Sequence, residues 1–250
     1  MLDILNRAFR HPIDYSGIAR VTNLQFQERI QENENTYSFI FTAPKLPDWK
    51  AGQHAIFTLP GKKVTGPKAE ARAGKTWRPF SVASAPHENT IRIGTIIPPE
   101  PSSFKQNLMA LQTGDQVRMY GPYGELYIRP NMKKVVAVAG GIGITPFRAI
   151  IADMAFEGKD VDFHLIYSAK AEHVYRNELD RWQSKLPRLR ITYTNTPEEV
   201  NAELEKETSR LDDIYFMLSG APGMIEALRR SLRERRVPSS RIIHDPFKGY

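Results

Sequence analysis

The chain has 250 residues, 41% hydrophobic and 25% charged, a globular balance long enough for one large domain or two of about 125, which excludes disorder and low complexity. Without cysteine it builds no disulfide, thiolate–zinc site, cysteine nucleophile or cysteine-ligated iron–sulfur cluster, and its six histidines form no His-x-x-x-His pair, so metal chemistry is set aside. Thirty-five basic against 28 acidic residues give a formal charge of +7, which suits an acidic protein, a nucleotide or a nucleic acid, and equally a solvated surface.

The opening MLDILNRAFRH carries Asp3 and Arg7 where a secretory signal needs an apolar core, so residues 1–16 read as an N-terminal extension. From Gly17 to about Arg129 the apolar residues come in short alternating runs, TYSFIFTA, HAIFTL, RPFSVAS, TIRIGTII and QVRMYG, punctuated by Gly and Pro. This spacing predicts an antiparallel β-barrel or sandwich over 17–129, interrupted by one helix at SSFKQNLMAL, 102–111. The basic insert GKKVTGPKAEARAGK, 61–75, reads as a loop between two barrel strands, and the polar RPNMKK, 129–134, as the domain boundary. From 134 to 250 the pattern becomes strand, helix, strand, helix: KVVAVAG, PFRAIIADMAFE, DFHLIYSA, EHVYRNELDRWQSKL, LRITYT, PEEVNAELEKETSRL, IYFMLSG and PGMIEALRRSLRERR. Apolar strands alternating with amphipathic helices predict a Rossmann-like α/β domain, a parallel sheet covered on both faces. Thr196-Pro197-Glu198-Glu199 is a capping-box helix start, and Met224, Leu228 and Leu232 form an i, i+4, i+8 stripe on the last helix. The longest stretch free of Asp, Glu, Lys and Arg, Val135 to Phe147, contains three glycines and falls short of the roughly 20 apolar residues a membrane span needs. A cytoplasmic protein is expected.

The strongest local signal is VVAVAGGIGITPF, in which a buried strand runs into Gly140, Gly141 and Gly143, with Thr145 and Pro146 opening a helix. Glycines let the backbone approach a pyrophosphate, and the amides and dipole of a helix start favour negative charge. The strict G-x-G-x-x-G pattern is not met, because Pro146 stands at the third glycine. LSGAPGM, 218–224, is a second glycine turn between strand and helix. Each alone serves as a plain connection; two on one parallel sheet point to a nucleotide at the carboxyl ends of the strands. In the first domain, WRPFSVASAP places Arg78 and Phe80 on one strand face and Ser81 on the other, and Ser102 and Ser103 begin a helix that could join Arg78 around a phosphate.

In order, RPFS, SSFKQNLMALQTGDQVRMYGPYGEL, GGIGITPF, LIYSA and LSGAPGM resemble, over residues 17–250, the ferredoxin–NADP reductase family, whose members pair a flavin-binding Greek-key β-barrel with a nicotinamide-nucleotide α/β domain. The resemblance implies a stand-alone member without an iron–sulfur cluster, with an FAD-binding barrel at 17–129 and an NAD(P)-binding domain at 134–250. FAD would be held by Arg78, Pro79, Phe80 and Ser81: Arg78 on the pyrophosphate, Phe80 (a Tyr in most members) against the isoalloxazine or ribityl, Ser81 near the hydride-accepting nitrogen. The backbone of Ile93, Gly94 and Thr95 would follow the flavin edge. Ser102, Ser103 and Phe104 match the pyrophosphate turn, although Pro99-Glu100-Pro101 replaces the usual glycines. Gly141, Gly143, Thr145 and Pro146 would hold the pyrophosphate of NAD(P), and Ser219, Gly220, Pro222 and Met224 would lie beside the nicotinamide, Ser219 standing where members commonly have Cys.

At the chain end, Asp245 and Tyr250 match a carboxylate and an aromatic near the flavin, so the resemblance makes Ser81, Ser219, Asp245 and Tyr250 the candidate catalytic residues. Ser168, Lys170 and Arg176 after the second strand suit a 2′-phosphate, which favours NADP(H) over NAD(H). The implied function is an FAD-dependent NAD(P)H oxidoreductase passing electrons to a separate acceptor, with ferredoxin or flavodoxin leading and a partner redox subunit, a quinone or a metal chelate behind. A flavin-binding electron-transfer subunit or sensor with little turnover is the alternative. A nucleic-acid partner is not expected, because the positive charge is spread along the chain and no recognition motif accompanies it.

Overall fold

The computed structural model describes residues 8–59, 77–209 and 213–244, and the chain divides into two units, Met1–Gly124 and Glu125–Tyr250. The first contains a short helix α1 (Pro12–Tyr15), β1 (Val21–Gln31), β2 (Thr36–Thr42), β3 (His54–Thr58), β4 (Trp77–Ser81), β5 (Ile91–Ile96), helix α2 (Ser103–Met109) and β6 (Gln116–Tyr123). The six strands pair antiparallel in the order β4-β3-β6-β1-β2-β5. Beyond the ladders, the Ala83 amide donates to the Arg92 carbonyl at 2.7 Å, which draws the two edges of the curled sheet together. The predicted antiparallel barrel with one helix is therefore the architecture found.

β1, the longest strand among the described residues, carries no local strand signature. VTNLQFQERIQ is mostly polar, only Leu24 and Phe26 are buried, and a bulge between Phe26 and Glu28 breaks the alternation. Its central place comes from being laddered on both sides, to β2 and β6. The barrel core gathers Phe26, Phe39, Phe41, Phe57, Ile91 and Ile93, and α2 closes it with Phe104 and Leu108. A buried arginine, Arg92, ties β5 to the β1–β2 hairpin: Nε donates to Ser38 Oγ at 3.0 Å and Nη2 to Glu32 Oε1 at 2.6 Å. That bracing fixes the strand carrying Ile93, Gly94 and Thr95.

The second unit contains β7 (Lys134–Gly140), α3 (Thr145–Glu157), β8 (Asp162–Ser168), α4 (Arg176–Gln183), β9 (Leu189–Thr194), α5 (Pro197–Thr208), β10 (Ile214–Ser219), α6 (Pro222–Glu234) and β11 (Ile242–His244). Its sheet is parallel throughout, in the order β11-β10-β7-β8-β9. β7 is buried from Val135 to Ala139, as expected of a strand covered on both faces. The Thr196 capping box forms, with Thr196 Oγ1 accepting from the Glu199 amide at 3.3 Å, and Leu228 and Leu232 of α6 are buried.

One assignment needs correcting. The helix expected from Glu172 starts only at Arg176, because His173 is drawn onto the strand ends and Tyr175 takes a left-handed turn at φ 64°. The IIH segment, 242–244, given no element from the sequence, is a fifth parallel strand beside β10. Under α5 lies an ionic cluster that no local pattern announced. Glu207 Oε1 and His164 Nδ1 are 2.8 Å apart, Arg190 bonds the same oxygen, Lys134 Nζ is 3.7 Å from the other, and His164 Nε2 is 2.8 Å from Thr192 Oγ1. The His164 hydrogen bond comes first among the causes that hold the Glu207 carboxyl down at about 2, against the opposing effect of burial. Among the described residues no helix is long and apolar enough to cross a membrane, and no cluster of His, Cys, Asp and Glu is grouped as a metal site.

Candidate functional site

In the first unit the residues singled out from sequence gather where β4 meets α2. Arg78 is buried, donates from Nη1 to the Trp77 carbonyl at 2.9 Å, and holds its guanidinium carbon 5.7 Å from the centre of the Phe104 ring. Phe80, two residues along the same strand, packs on Phe57 and Phe104 with ring centres 5.8 and 5.9 Å away and remains half-exposed. Arg78, Phe80 and Phe104 thus form one layer. Ser81 is buried and stands opposite His54 in the β3–β4 register, with the His54 ring edge-on to Tyr123 at 4.4 Å. His54 was not singled out from sequence, although its adjacency to Ser81 follows once the two strands are paired.

Ser102 precedes α2 in extended conformation and its carbonyl accepts from the Gln106 amide at 2.9 Å, while Ser103 is buried at the first helical position. Gln106 Nε2 donates to the Pro101 carbonyl at 3.2 Å and so fastens the proline segment that replaces the usual glycines. A second cation, passed over in the sequence, belongs here. Burial first, and the Arg78 guanidinium second, hold the Lys105 ammonium below the ordinary lysine value. Two half- to fully-buried cations beside two serines and an aromatic layer are the donor set a diphosphate requires, so these residues fit the phosphates of a flavin dinucleotide. Ile93 sends its side chain into the core, and only its main chain, with that of Gly94 and Thr95, is left for a ligand edge.

In the second unit the two glycine turns lie against each other at the carboxyl ends of β7 and β10. A Cβ on Gly143 would sit 2.4 Å from the Ser219 carbonyl oxygen and 2.6 Å from the Gly220 nitrogen, so Gly143 is required by this backbone contact. At Gly140 an added Cβ would sit 2.3 Å from the Met224 sulfur and 3.7 Å from the Gly220 Cα, a looser approach than that of Gly143. Gly141 differs. It is left-handed at φ 53° and a Cβ there would meet nothing within 4 Å. Thr145 Oγ1 donates to the Ile142 carbonyl at 3.0 Å, closing the turn that opens α3, with Pro146 next. The result is a rigid glycine cradle with open space at Gly141 and the amino end of a 13-residue helix beside it, which fits a nucleotide pyrophosphate. Ser219 is buried against this contact, and Pro222 opens α6.

Ser168 ends β8 opposite Gly140 and Thr194, and Lys170 is exposed. Arg176 is more engaged than its sequence position implies. Its guanidinium lies 4.3 Å from the centre of the Tyr193 ring, and its Nε is 3.6 Å from Asp180, whose other oxygen accepts from the Tyr193 hydroxyl at 2.6 Å. Burial and that hydrogen bond push the Tyr193 phenol up. Asp245 and Tyr250, with the insert 61–75, lie outside the described residues.

Residues 137–230 match the family model for an oxidoreductase NAD-binding domain. The chain is 26% identical over 156 residues to the toluate 1,2-dioxygenase electron transfer component of Pseudomonas putida, covering 58% of this chain and 46% of that protein. It is 26% identical over 218 residues to an NADH-cytochrome b5 reductase-like protein of Arabidopsis thaliana, covering 81% and 65%. The chain thus spans between about half and two thirds of the length of these two relatives. Among solved structures, the cytochrome b5 reductase domain of Ulva prolifera nitrate reductase superposes with a TM-score of 0.75 at 22% identity, over 91% of this chain and 98% of that one. A ferredoxin NADP+ reductase from Neisseria gonorrhoeae with bound FAD and NADP gives 0.72 at 19% identity, over 91% and 98%.

Proposed function

We propose that the chain is a member of the ferredoxin–NADP reductase-like family of FAD/NAD-binding reductases and, from that premise, a flavin-dependent oxidoreductase. It takes a hydride from a reduced nicotinamide nucleotide and passes electrons to a separate acceptor. Residues 17–129 hold the flavin and 134–250 the nucleotide. When bound, FAD supplies a hydride acceptor that can release electrons one at a time. This chain's own residues bind and orient. Arg78 and Lys105, with Ser102 and Ser103, would hold the pyrophosphate, Phe80 would offer the half-exposed face of its ring, and the Ser81 hydroxyl would offer a hydrogen bond to the flavin. In the other unit the Gly141 turn and the α3 amino end take the nucleotide diphosphate, and Ser219 stands at the nicotinamide position. A serine serves there because hydride transfer asks for oriented rings and no nucleophile.

The observation that carries this reading is the glycine cradle, in which Gly140, Gly143 and Gly220 are consumed by packing while Gly141 keeps a left-handed backbone beside free space. What sets Gly141 apart from the other open left-handed glycines is its place, between the carboxyl end of β7 and the amino end of α3. NADP(H) is favoured through Ser168, Lys170 and Arg176. The acceptor is a small acidic carrier, ferredoxin or flavodoxin, or a partner redox subunit. The formal charge of +7 supports this choice, as do relatives whose names describe electron transfer components. Purified protein should be yellow and release FAD on denaturation, and anaerobic NADPH should bleach it faster than NADH. A colourless protein with no affinity for FAD, or a flavin that neither nucleotide bleaches, overturns the proposal. The Lys170→Ala/Arg176→Ala double variant should lose efficiency with NADPH and nearly keep it with NADH; equal losses refute the 2′-phosphate assignment.

A further inference from the structure

Between the carboxyl ends of β8 and β9 sits a histidine to which none of the site chemistry above assigns a role. His173 Nε2 is 3.1 Å from the Tyr167 carbonyl and 3.1 Å from the Thr194 carbonyl, one on each strand. Both partners only accept, so Nε2 carries the hydrogen and shares it between the two strands. The ring stands edge-on to Tyr167 at 4.8 Å and to Tyr193 at 4.9 Å, wedged between two phenols. Its main chain grips in the other direction, because the His173 carbonyl accepts from the Arg176 amide at 3.3 Å.

The short link between them is also pinned. The Val174 amide donates to the Tyr167 hydroxyl at 3.0 Å. Tyr175 is left-handed at φ 64° and turns its ring to Arg148, 5.8 Å from the guanidinium carbon. Arg148 in turn is paired with Glu178 at 2.5 Å and lies over Trp182 at 5.3 Å. Arg176 is therefore reached from His173 by two routes: directly, through the main-chain hydrogen bond at the base of α4, and through Tyr193, which His173 flanks and on whose ring the Arg176 guanidinium rests.

We propose that His173 is a positioning residue for nucleotide recognition: it clips the 168–176 segment onto the ends of β8 and β9, and so presets where Arg176 meets the adenosine phosphate. The inference rests on the reading of that segment as the one that meets the adenosine half of the nucleotide. Its physical content is preorganisation, since a long arginine that is already placed loses less freedom on binding. His173→Phe keeps a ring between the two tyrosines and deletes the shared N–H.

With the flavin-loaded protein, this variant should raise the Michaelis constant for NADPH about threefold to tenfold, the range of one lost hydrogen bond, while kcat and flavin content stay within about twofold. Calorimetric binding of 2′,5′-ADP should weaken by the same factor. His173→Gln, which returns a side-chain N–H, should recover part of the loss and serves if the phenylalanine variant does not fold. Arg176→Ala supplies the decisive control: in that background His173→Phe should add less than about a twofold further change, because its effect passes through Arg176. The same factor in both backgrounds, an unchanged Michaelis constant, or a loss confined to kcat and flavin content overturns the proposal. If the unmodified protein neither binds 2′,5′-ADP nor is bleached by NADPH or NADH, the nucleotide reading itself fails and this inference falls with it. If it does both and His173→Phe leaves them unchanged, only the assignment to His173 is lost.

Discussion

Gly143→Ala tests the claim that the two glycine turns of the parallel sheet are locked together by main-chain contact. The added methyl would lie 2.4 Å from the Ser219 oxygen, 2.5 Å from the Ser219 carbonyl carbon and 2.6 Å from the Gly220 nitrogen. Carbon contacts settle near 3.5 to 4.0 Å, so the turns after β7 and β10 must part by about 1 Å. No side chain can rotate away, since all three opposing atoms are backbone. Overpacking of this kind costs about 1–3 kcal/mol, and a displacement of about 1 Å at a site that orients substrate is worth up to about a hundredfold in rate. Anaerobic flavin reduction followed by stopped flow should show the Michaelis constant for the nucleotide raised at least about tenfold and the maximal rate lowered, with a lower thermal midpoint. The flavin-to-protein absorbance ratio, which depends on Arg78 in the other unit, should not change. A Gly143→Ala protein with the parent's midpoint and nucleotide kinetics would falsify the locked-turn account.

Arg78→Ala should emerge from purification largely free of flavin, because a charge-assisted contact of roughly 1.5–3 kcal/mol is about tenfold to a hundredfold in affinity; an unchanged absorbance ratio would remove Arg78 from the site. The Glu207 carboxyl, depressed in the folded protein, contributes stability that is complete above its unfolded value of 4.5 and is lost as the pH falls to about 2. Urea midpoints should therefore fall with acid over this window and Glu207→Gln should flatten the fall; parallel acid profiles would count against the cluster. Thr196→Ala removes the hydroxyl that accepts from the Glu199 amide and should lower the stability of the α/β unit by about 1 kcal/mol, read as a reduced denaturant midpoint, whereas an unaltered midpoint would mean the cap contributes nothing.

The type and order of most elements were legible from the sequence alone because they are local; β1 and the strand at 242–244 were not. The run KVVAVAG is apolar on both faces, Thr196-Pro197-Glu198-Glu199 carries its own helix start, and the glycines at 140, 141, 143 and 220 mark two turns that must bend sharply. What each residue does was decided by contacts between segments far apart in the chain, which no local period encodes. β1 is central because β2 and β6 both ladder to it, although its composition is that of a surface strand. Gly143 and Gly141 look alike as letters, yet one is held against Ser219 and the other faces open space. Arg176 reads as a free cation until Asp180 and Tyr193 are brought beside it, and His164 reads as an isolated histidine until folding sets it on Glu207, 43 residues away. Local sequence determines where the backbone bends and which faces are apolar; the tertiary structure alone determines which charges and glycines are already used by the fold and which remain for a ligand.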